Sequence, residues 1–446
     1  KLQEASLLDK ADLNVIEAGD EINLGPFSAE SFHLTHSIPG CVGYGINTPH
    51  GLIIHTGDYK FDNTPVDGKK PDYAKLAEFS KRGVRLLMGD STNATSSGWT
   101  PSESVINEAF DRVFREAKGR IIVATFASLI SRVQQVVWAA KKYGRHIAFA
   151  GYSMRRNVDM AIELGILDVP ENMIIDLNKI DQISPSKVTV MATGSQGEPS
   201  AVLSRMSMGR HRLEVMEDDT IVLSSHPIPG NEEMVARIIN DLFRRGAQVV
   251  YEPLQKVHVS GHGNREEIRL MLNLTQPEHV LAVHGELRML KAHADLAVES
   301  GVPRDKVFVV ENGTVVEMDH EGVSVAERVP GGYVFVDGTG VGDVGRAVLR
   351  DREILSQDGF VIIVADVDTR NHRLVNDPEI ISRGFVYLRQ ADELLEKITD
   401  RVDQVVRSSN GANRHRLQEN IEEKLAEMLY HETKRRPMVF SVVNER

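Results

Sequence analysis

Five side chains, four at the ends of apolar strands and one in a Gly-flanked turn, have the right types to bind a metal or move a proton. They are His36 in SFHLTHSIPG, Asp58 in LIIHTGDYKFD, Asp90 in GVRLLMGDSTNAT, His262 in HVSGHGN and His284 in HVLAVHGE. Neutral imidazole and carboxylate oxygen are the donors of a hydrolytic Zn²⁺ or Mn²⁺ site, and imidazole also transfers protons near neutral pH. His36 and Asp58 are 22 residues apart, as are His262 and His284; the equality reflects loop length, and the residue types carry the chemistry. Two turns suit a phosphate. In TFASLISR the first helical amides can hold an anion, with the Ser128 hydroxyl as a further donor, or Ser128 can cap that helix. In HVSGH, small residues let backbone N–H groups approach an anion closely. Together these features point to metal-assisted hydrolysis of a phosphate ester.

Other motifs carry less. His33, His55 and His226 read as structural, and TGSQGEP lacks the GK[ST] of a P-loop, although it sits at a strand's C-terminal end. GVGDVG, residues 340–345, matches a dinucleotide fingerprint, but RAVLRDREIL behind it reads as much like strand or turn as helix. A linker turn accounts for it better.

The elements that must hold these residues fall into blocks. Residues 13–60 read as β-structure, through LNVIEAG, FSAESFHLTH, CVGYGINT and GLIIHTGDY, with turn signals between them. From near Pro101, helices alternate with short β-branched strands as far as AQVVYE, which predicts a parallel sheet covered on both faces. An amphipathic helix through Ile268, Leu270, Met271 and Leu274 then leads to the strand HVLAV. After a glycine-rich stretch, FVIIVADVD and two long helices predict a small α+β domain. The expected divisions are 1–100, 101–251, 252–328, a linker at 329–345, and 346–446.

The chain has 446 residues, too long for one core. Its 52 basic and 64 acidic residues give a net charge of −12, which argues against indiscriminate coating of nucleic acid and leaves a locally basic cleft open. One cysteine, Cys41, excludes a disulfide framework and a Cys-rich zinc module and fits a reducing, cytoplasmic compartment. No run approaches the roughly 20 apolar residues that span a bilayer, so no membrane partner is expected.

HSIPG, HTGDYKFD, GDSTNAT, TFAS, TGSQGEP, HVSGHG and LAVHGE occur in the order, and at about the spacing, of the β-CASP branch of the metallo-β-lactamase superfamily. VDGTGVGDVG, SRGFVYLR and YHETKRRP resemble the linker and terminal domain of the ribonuclease J family in particular. The resemblance implies an α/β fold: a metallo-β-lactamase αββα sandwich, N-terminally incomplete here, with an inserted β-CASP parallel α/β domain and a small C-terminal α+β domain used in dimerisation. By motif position it implies that His36, Asp58 and His284 are metal ligands, with Asp58 between two ions, and that Asp90 orients His262 near the scissile phosphate. Phe126, Ala127, Ser128, His258, Val259, Ser260, Gly261 and His262 would hold RNA phosphates.

The implied cofactors are two divalent ions, Zn²⁺ or Mn²⁺, with Mg²⁺ also compatible. The implied partners are single-stranded RNA and further copies of the chain, as a dimer or tetramer. The implied activity is hydrolysis of RNA 5′ to 3′ from a 5′-monophosphate, together with internal cleavage, in RNA decay and maturation. One departure stands out: the family's HxHxDH motif is absent. The expectation is that this sequence, which starts with Lys, begins inside the lactamase domain and is inactive by itself. The alternative is a non-catalytic RNA-binding or scaffold subunit that has lost the motif.

Overall fold

The computed structural model describes the chain apart from residues 1, 3–5, 229, 333, 335, 338–339, 342–344, 369, 386–391 and 410–412. Two compact units form, residues 1–330 and 331–446.

The first unit opens with a meander of antiparallel strands, β1 (Glu21–Leu24), β2 (Phe27–His33), β3 (Val42–Thr48) and β4 (Gly51–His55). Helix α1 (Tyr73–Arg82) then carries the chain to β5 (Val84–Asp90), which runs parallel to β4. LNVIEAG forms no strand. Its alternation has no neighbouring strand to pair with, and Leu13 and Val15 are exposed. An apolar alternation builds a strand only where a ladder and a core receive it.

From Val105 the chain builds a second sheet: α2 (Val105–Glu116), β6 (Ile121–Ala124), α3 (Ile130–Lys142), β7 (His146–Ala150), α4 (Tyr152–Glu163), β8 (Val188–Ala192), α5 (Val202–Ser207), β9 (Thr220–Leu223), α6 (Glu232–Arg244) and β10 (Gln248–Val250). Its order is β10-β9-β6-β8-β7 and every pairing is parallel. Both faces are covered, one by α2, α3 and α4, the other by α5 and α6. That is why β6, β8 and β9 are buried along their whole length.

The chain then returns to the first sheet through α7 (Arg265–Thr275), β11 (His279–Val283), α8 (Leu287–Glu299) and β12 (Val307–Val309), giving the order β1-β2-β3-β4-β5-β11-β12. Strands β5 and β11 are therefore neighbours although the whole second sheet lies between them in sequence, so the alternating α/β stretch is an insertion, as expected. Helices α1, α7 and α8 pack on the first sheet around Phe32, Leu76, Phe79, Ile268, Met271 and Leu296. The approach is close: a Cβ on Gly45 would stand 2.4 Å from the Phe79 ring. Of the expected sandwich, the described residues form this one sheet and its helical layer. A hairpin, β13 (Thr314–Met318) and β14 (Val323–Arg328), ends the unit.

Buried charges join the two sheets. Arg132 of α3 is fully buried and donates to Glu103 Oε2 at 2.7 Å, to the Val257 carbonyl at 2.6 Å and to Ser224 Oγ. Buried Lys60, beyond β4, lies 3.5 Å from Asp62 and 3.6 Å from Glu103.

In the second unit, strands β15 (Val336–Asp337) and β16 (Gly340–Val341) pair within the glycine-rich stretch. Residues 333, 335, 338–339 and 342–344 of that stretch, and part of SRGFVYLR, lie outside the described residues. RAVLRDREIL, for which strand or turn stayed open, is helical, as α9 (Arg346–Gln357): its Ala, Leu and Arg are strong helix formers. Strand β17 (Phe360–Asp368) pairs with β18 (Arg373–Leu374), with β19 (Glu379–Arg383) and, in parallel, with a late strand β20. It alternates strictly, with Val361, Ile363, Ala365 and Val367 buried against α10 (Asp392–Ser408) and α11 (Arg414–Thr433). Strand β20 spans Met438–Glu445. Among the described residues no helix is long and apolar enough to cross a membrane.

Candidate metal centre

Three adjacent strands deliver three of the five candidate residues. Strands β4, β5 and β11 run parallel side by side, so their carboxyl ends face the same way. Asp58 lies just beyond β4, Asp90 is the last residue of β5, and His284 follows the last residue of β11. His36 arrives from beyond β2, where a bridge between Thr35 and Lys60 draws that segment alongside the Asp58 loop. His262 precedes α7 in a loop stitched to both acid-bearing segments. The Gly263 amide donates to Tyr59 O at 2.7 Å, Asn93 Nδ2 to His262 O at 3.0 Å, and Thr100 Oγ1 to His262 O at 2.9 Å.

The result is a compact donor set. One ligand atom from each of Asp58, Asp90, His262 and His284 lies within 4.8 Å of the others. His262 Nδ1–H donates to Asp90 Oδ2 at 2.6 Å. His284 Nδ1 is 3.3 Å from Asp90 Oδ1 and 3.4 Å from Asp58 Oδ1. His36 stands at the edge of this group: its Nε2 is 3.9 Å from Asp58 Oδ2, and its ring centre is 4.8 Å from that of His262. Its Nδ1–H donates to the Gly261 carbonyl at 2.9 Å, which leaves the Nε2 lone pair facing Asp58. Glycine is required there, since a Cβ on residue 261 would come within 2.6 Å of the His36 ring.

Burial and hydrogen bonding set the charges. Burial alone would raise the Asp90 carboxyl, but hydrogen bonds from His262 and His284 and the Thr92 amide hold it well below the usual carboxylate range. The Thr92 hydroxyl adds a bond at 2.7 Å. The Asp90 hydrogen bond and nearby Asp58 raise the pKa of His284, while burial lowers that of His36 despite its bond to Gly261 O. His284 also has φ +53°, left-handed for a non-glycine residue. Such a conformation costs about 1–3 kcal/mol and persists where its surroundings hold it; here it aims the imidazole at the two carboxylates. This donor set fits a divalent cation, because two carboxylates and two imidazoles converge on one point.

The two expected phosphate turns are placed differently. Gly261 and Ser260 touch the centre, Ser260 Oγ accepting from Asn93 Nδ2 at 2.9 Å. His258 is held neutral, because burial and then the Arg132 charge push its pKa down to about 3. It can therefore meet an anion only as a neutral N–H donor, without a positive charge. Phe126, Ala127 and Ser128 lie in the turn after β6, on the carboxyl edge of the inserted sheet. Ser128 does not cap α3: Leu129 occupies the cap position, no side chain bonds the helix end, and Ser128 is exposed. His55 is structural, its Nδ1 accepting the Gly57 N–H at 3.0 Å. Sequence reasoning missed Thr92, which bonds both Asp90 and His284, and His293, buried behind the site with Nδ1 2.9 Å from Ser91 Oγ. It also missed Glu267. Thr92 stood two residues after a flagged acid; nothing marked the other two.

Three family models match the chain: the ribonuclease J beta-CASP domain over residues 118–242, a Zn-dependent metallo-hydrolase RNA specificity domain over 246–310, and the ribonuclease J C-terminal domain over 347–446. Curated relatives span nearly all of it. Ribonuclease J2 of Bacillus subtilis (strain 168) is 38% identical over 449 residues, covering 100% of this chain and 81% of that protein. Ribonuclease J 1 of Streptococcus pyogenes serotype M3 is 39% identical, covering 99% and 80%. Ribonuclease J 2 of Staphylococcus aureus (strain NCTC 8325 / PS 47) is 37% identical, covering 93% and 75%.

Proposed function

The chain belongs to the ribonuclease J family of nucleases, and from that premise we propose that it hydrolyses single-stranded RNA in a metal-dependent reaction, 5′ to 3′ from a 5′-monophosphate end and also internally, in the decay and maturation of mRNA and rRNA. The observation that carries this reading is the meeting of Asp58, Asp90, His262 and His284 within 4.8 Å. In this reading residues 1–100 and 252–328 make the hydrolase domain and 101–251 the β-CASP domain. Residues 346–446 pair chains into homodimers or tetramers, and the cytoplasm is the setting.

In this reading His36, Asp58 and His284 would hold the divalent ions, two of Zn²⁺ or Mn²⁺ with Mg²⁺ also compatible. The chemistry such ions would supply is charge stabilisation at the phosphate oxygens and a water pKa lowered toward ~7. Asp90 fixes the His262 ring through Nδ1, so Nε2 is the atom left to meet the scissile phosphate, where it stabilises charge or protonates the leaving oxygen. The turns at 126–128 and 258–262 hold RNA phosphates. Such contacts carry no base information, so the enzyme reads strand chemistry and the 5′ end more than sequence.

The test is incubation of the protein with a divalent metal and 5′-monophosphorylated RNA. Stepwise shortening that EDTA stops, and that His262→Ala lowers at least about a hundredfold, is expected. RNA bound but left uncut by a metal-loaded protein would replace this reading with the non-catalytic subunit.

A further inference from the structure

Glu267 is fully buried, and its carboxylate accepts N–H groups from three separate segments. Oε1 takes the Phe61 amide at 2.9 Å; Oε2 takes the Thr100 amide at 2.7 Å and the Asn264 amide at 2.9 Å. Only the last bond belongs to the end of α7, where Glu267 and Asn264 form a capping box. A helix cap requires that bond and no other from this side chain. The remaining two reach outward. Phe61 lies three residues after Asp58. Thr100 closes the loop that begins at Asp90, and its hydroxyl accepts from the Asn264 amide at 3.0 Å while donating to His262 O at 2.9 Å. Asn264 lies two residues after His262. One ionisable side chain therefore ties together the loops that present Asp58, Asp90 and His262, and bonds from N–H to a carboxylate are the short, strong kind.

We propose that Glu267 is a positioning residue that sets the spacing of Asp58, Asp90 and His262, and through it both divalent-metal affinity and the rate of RNA cleavage. The proposal rests on the metal-dependent ribonuclease reading. Glu267→Gln keeps the shape but turns one acceptor oxygen into a donor facing an amide N–H.

Amide exchange followed by mass spectrometry on the 446-residue chain tests the tie without any activity. Protection should fall together around residues 61, 100 and 264. In the protein, Mn²⁺ affinity and kcat should each fall roughly ten- to a hundredfold, with KM for RNA within about twofold. Asn264→Ala is the comparison, since it removes the Asn side chain from the cap and leaves all three bonds to Glu267. Exchange that changes only in the first turn of α7, with wild-type metal affinity and kcat, would overturn the proposal. So would an equal loss of kcat in Asn264→Ala. Should Glu267→Gln not fold, Glu267→Asp, charged but one methylene too short to span the loops, carries the same expectations. A wild-type protein that neither binds metal nor cuts RNA would sink the ribonuclease reading, and the exchange pattern would still decide whether Glu267 ties the loops.

Discussion

Asp90 holds two imidazoles with one carboxylate, His262 on Oδ2 and His284 on Oδ1, and Thr92 adds two bonds of its own. Ionised, the group is acceptor-only, so neither oxygen carries a proton that would face a donor. Asp90→Asn keeps the size but presents a donor to one imidazole N–H, so one ring must turn or change tautomer. RNA cleavage is expected to fall by roughly 10²- to 10⁴-fold. A loss below about tenfold in steady-state assays would mean that this carboxylate does not govern the rings. Asp90 was legible from sequence because an acid at the end of a buried apolar run is conspicuous. Glu267 was not, because a Glu three residues after an Asn looks the same whether it caps a helix or ties three loops.

At the scale of elements, the meander depends on its helical cover. Glu30 of β2 lies 2.7 Å from Lys75 and 2.7 Å from Arg82, both on α1, and accepts from Asn47 of β3 at 2.9 Å. Burial would raise its pKa, but the bonds from Lys75, Asn47 and Arg82 bring it from an ordinary 4.5 to about 2. Because the folded value is the lower one, the unfolded chain takes up the proton first. The stabilisation is therefore complete above about pH 4.5 and is lost as pH falls through that value toward 2. Urea midpoints at about pH 6 and about pH 3 should differ less in Glu30→Gln than in the wild type. Equal differences would show that the cluster contributes nothing. Helix α1 escaped the sequence reading because YAKLAEFSKR is mostly polar, with Leu76 and Phe79 its only buried residues.

The first unit works as one body because its two sheets share a charged junction. Arg132 reaches from α3 to Glu103, Ser224 and the Val257 carbonyl, just before the HVSGH turn, while Glu103 also faces Lys60 beyond β4. Removing one partner strands the others in a buried region. Arg132→Met should therefore cost about 3–5 kcal/mol in denaturant unfolding, more than an exposed ion pair would. A cost under about 1 kcal/mol would mean that the junction relaxes freely. From sequence, Arg132 is one more basic residue at the start of an amphipathic helix.

Local patterning determined much of this protein. Runs of β-branched residues between helices required a parallel sheet covered on both faces, and the alternation of FVIIVADVD required a strand with one buried side; both follow from the periods of strand and helix. The types of His36, Asp58, Asp90, His262 and His284, and their positions at strand ends or, for His262, in a turn, already limited the chemistry to metal binding and proton transfer. Tertiary structure alone decided which of these meet. Register between β4, β5 and β11 brings Asp58, Asp90 and His284 together, and His36 stands at the margin through its bond to Gly261 O. It also decided that LNVIEAG has no partner strand, that His258 is neutral, and that Glu267 and Arg132 are buried. Each of these depends on neighbours distant in sequence, whose burial and hydrogen bonds no local pattern encodes.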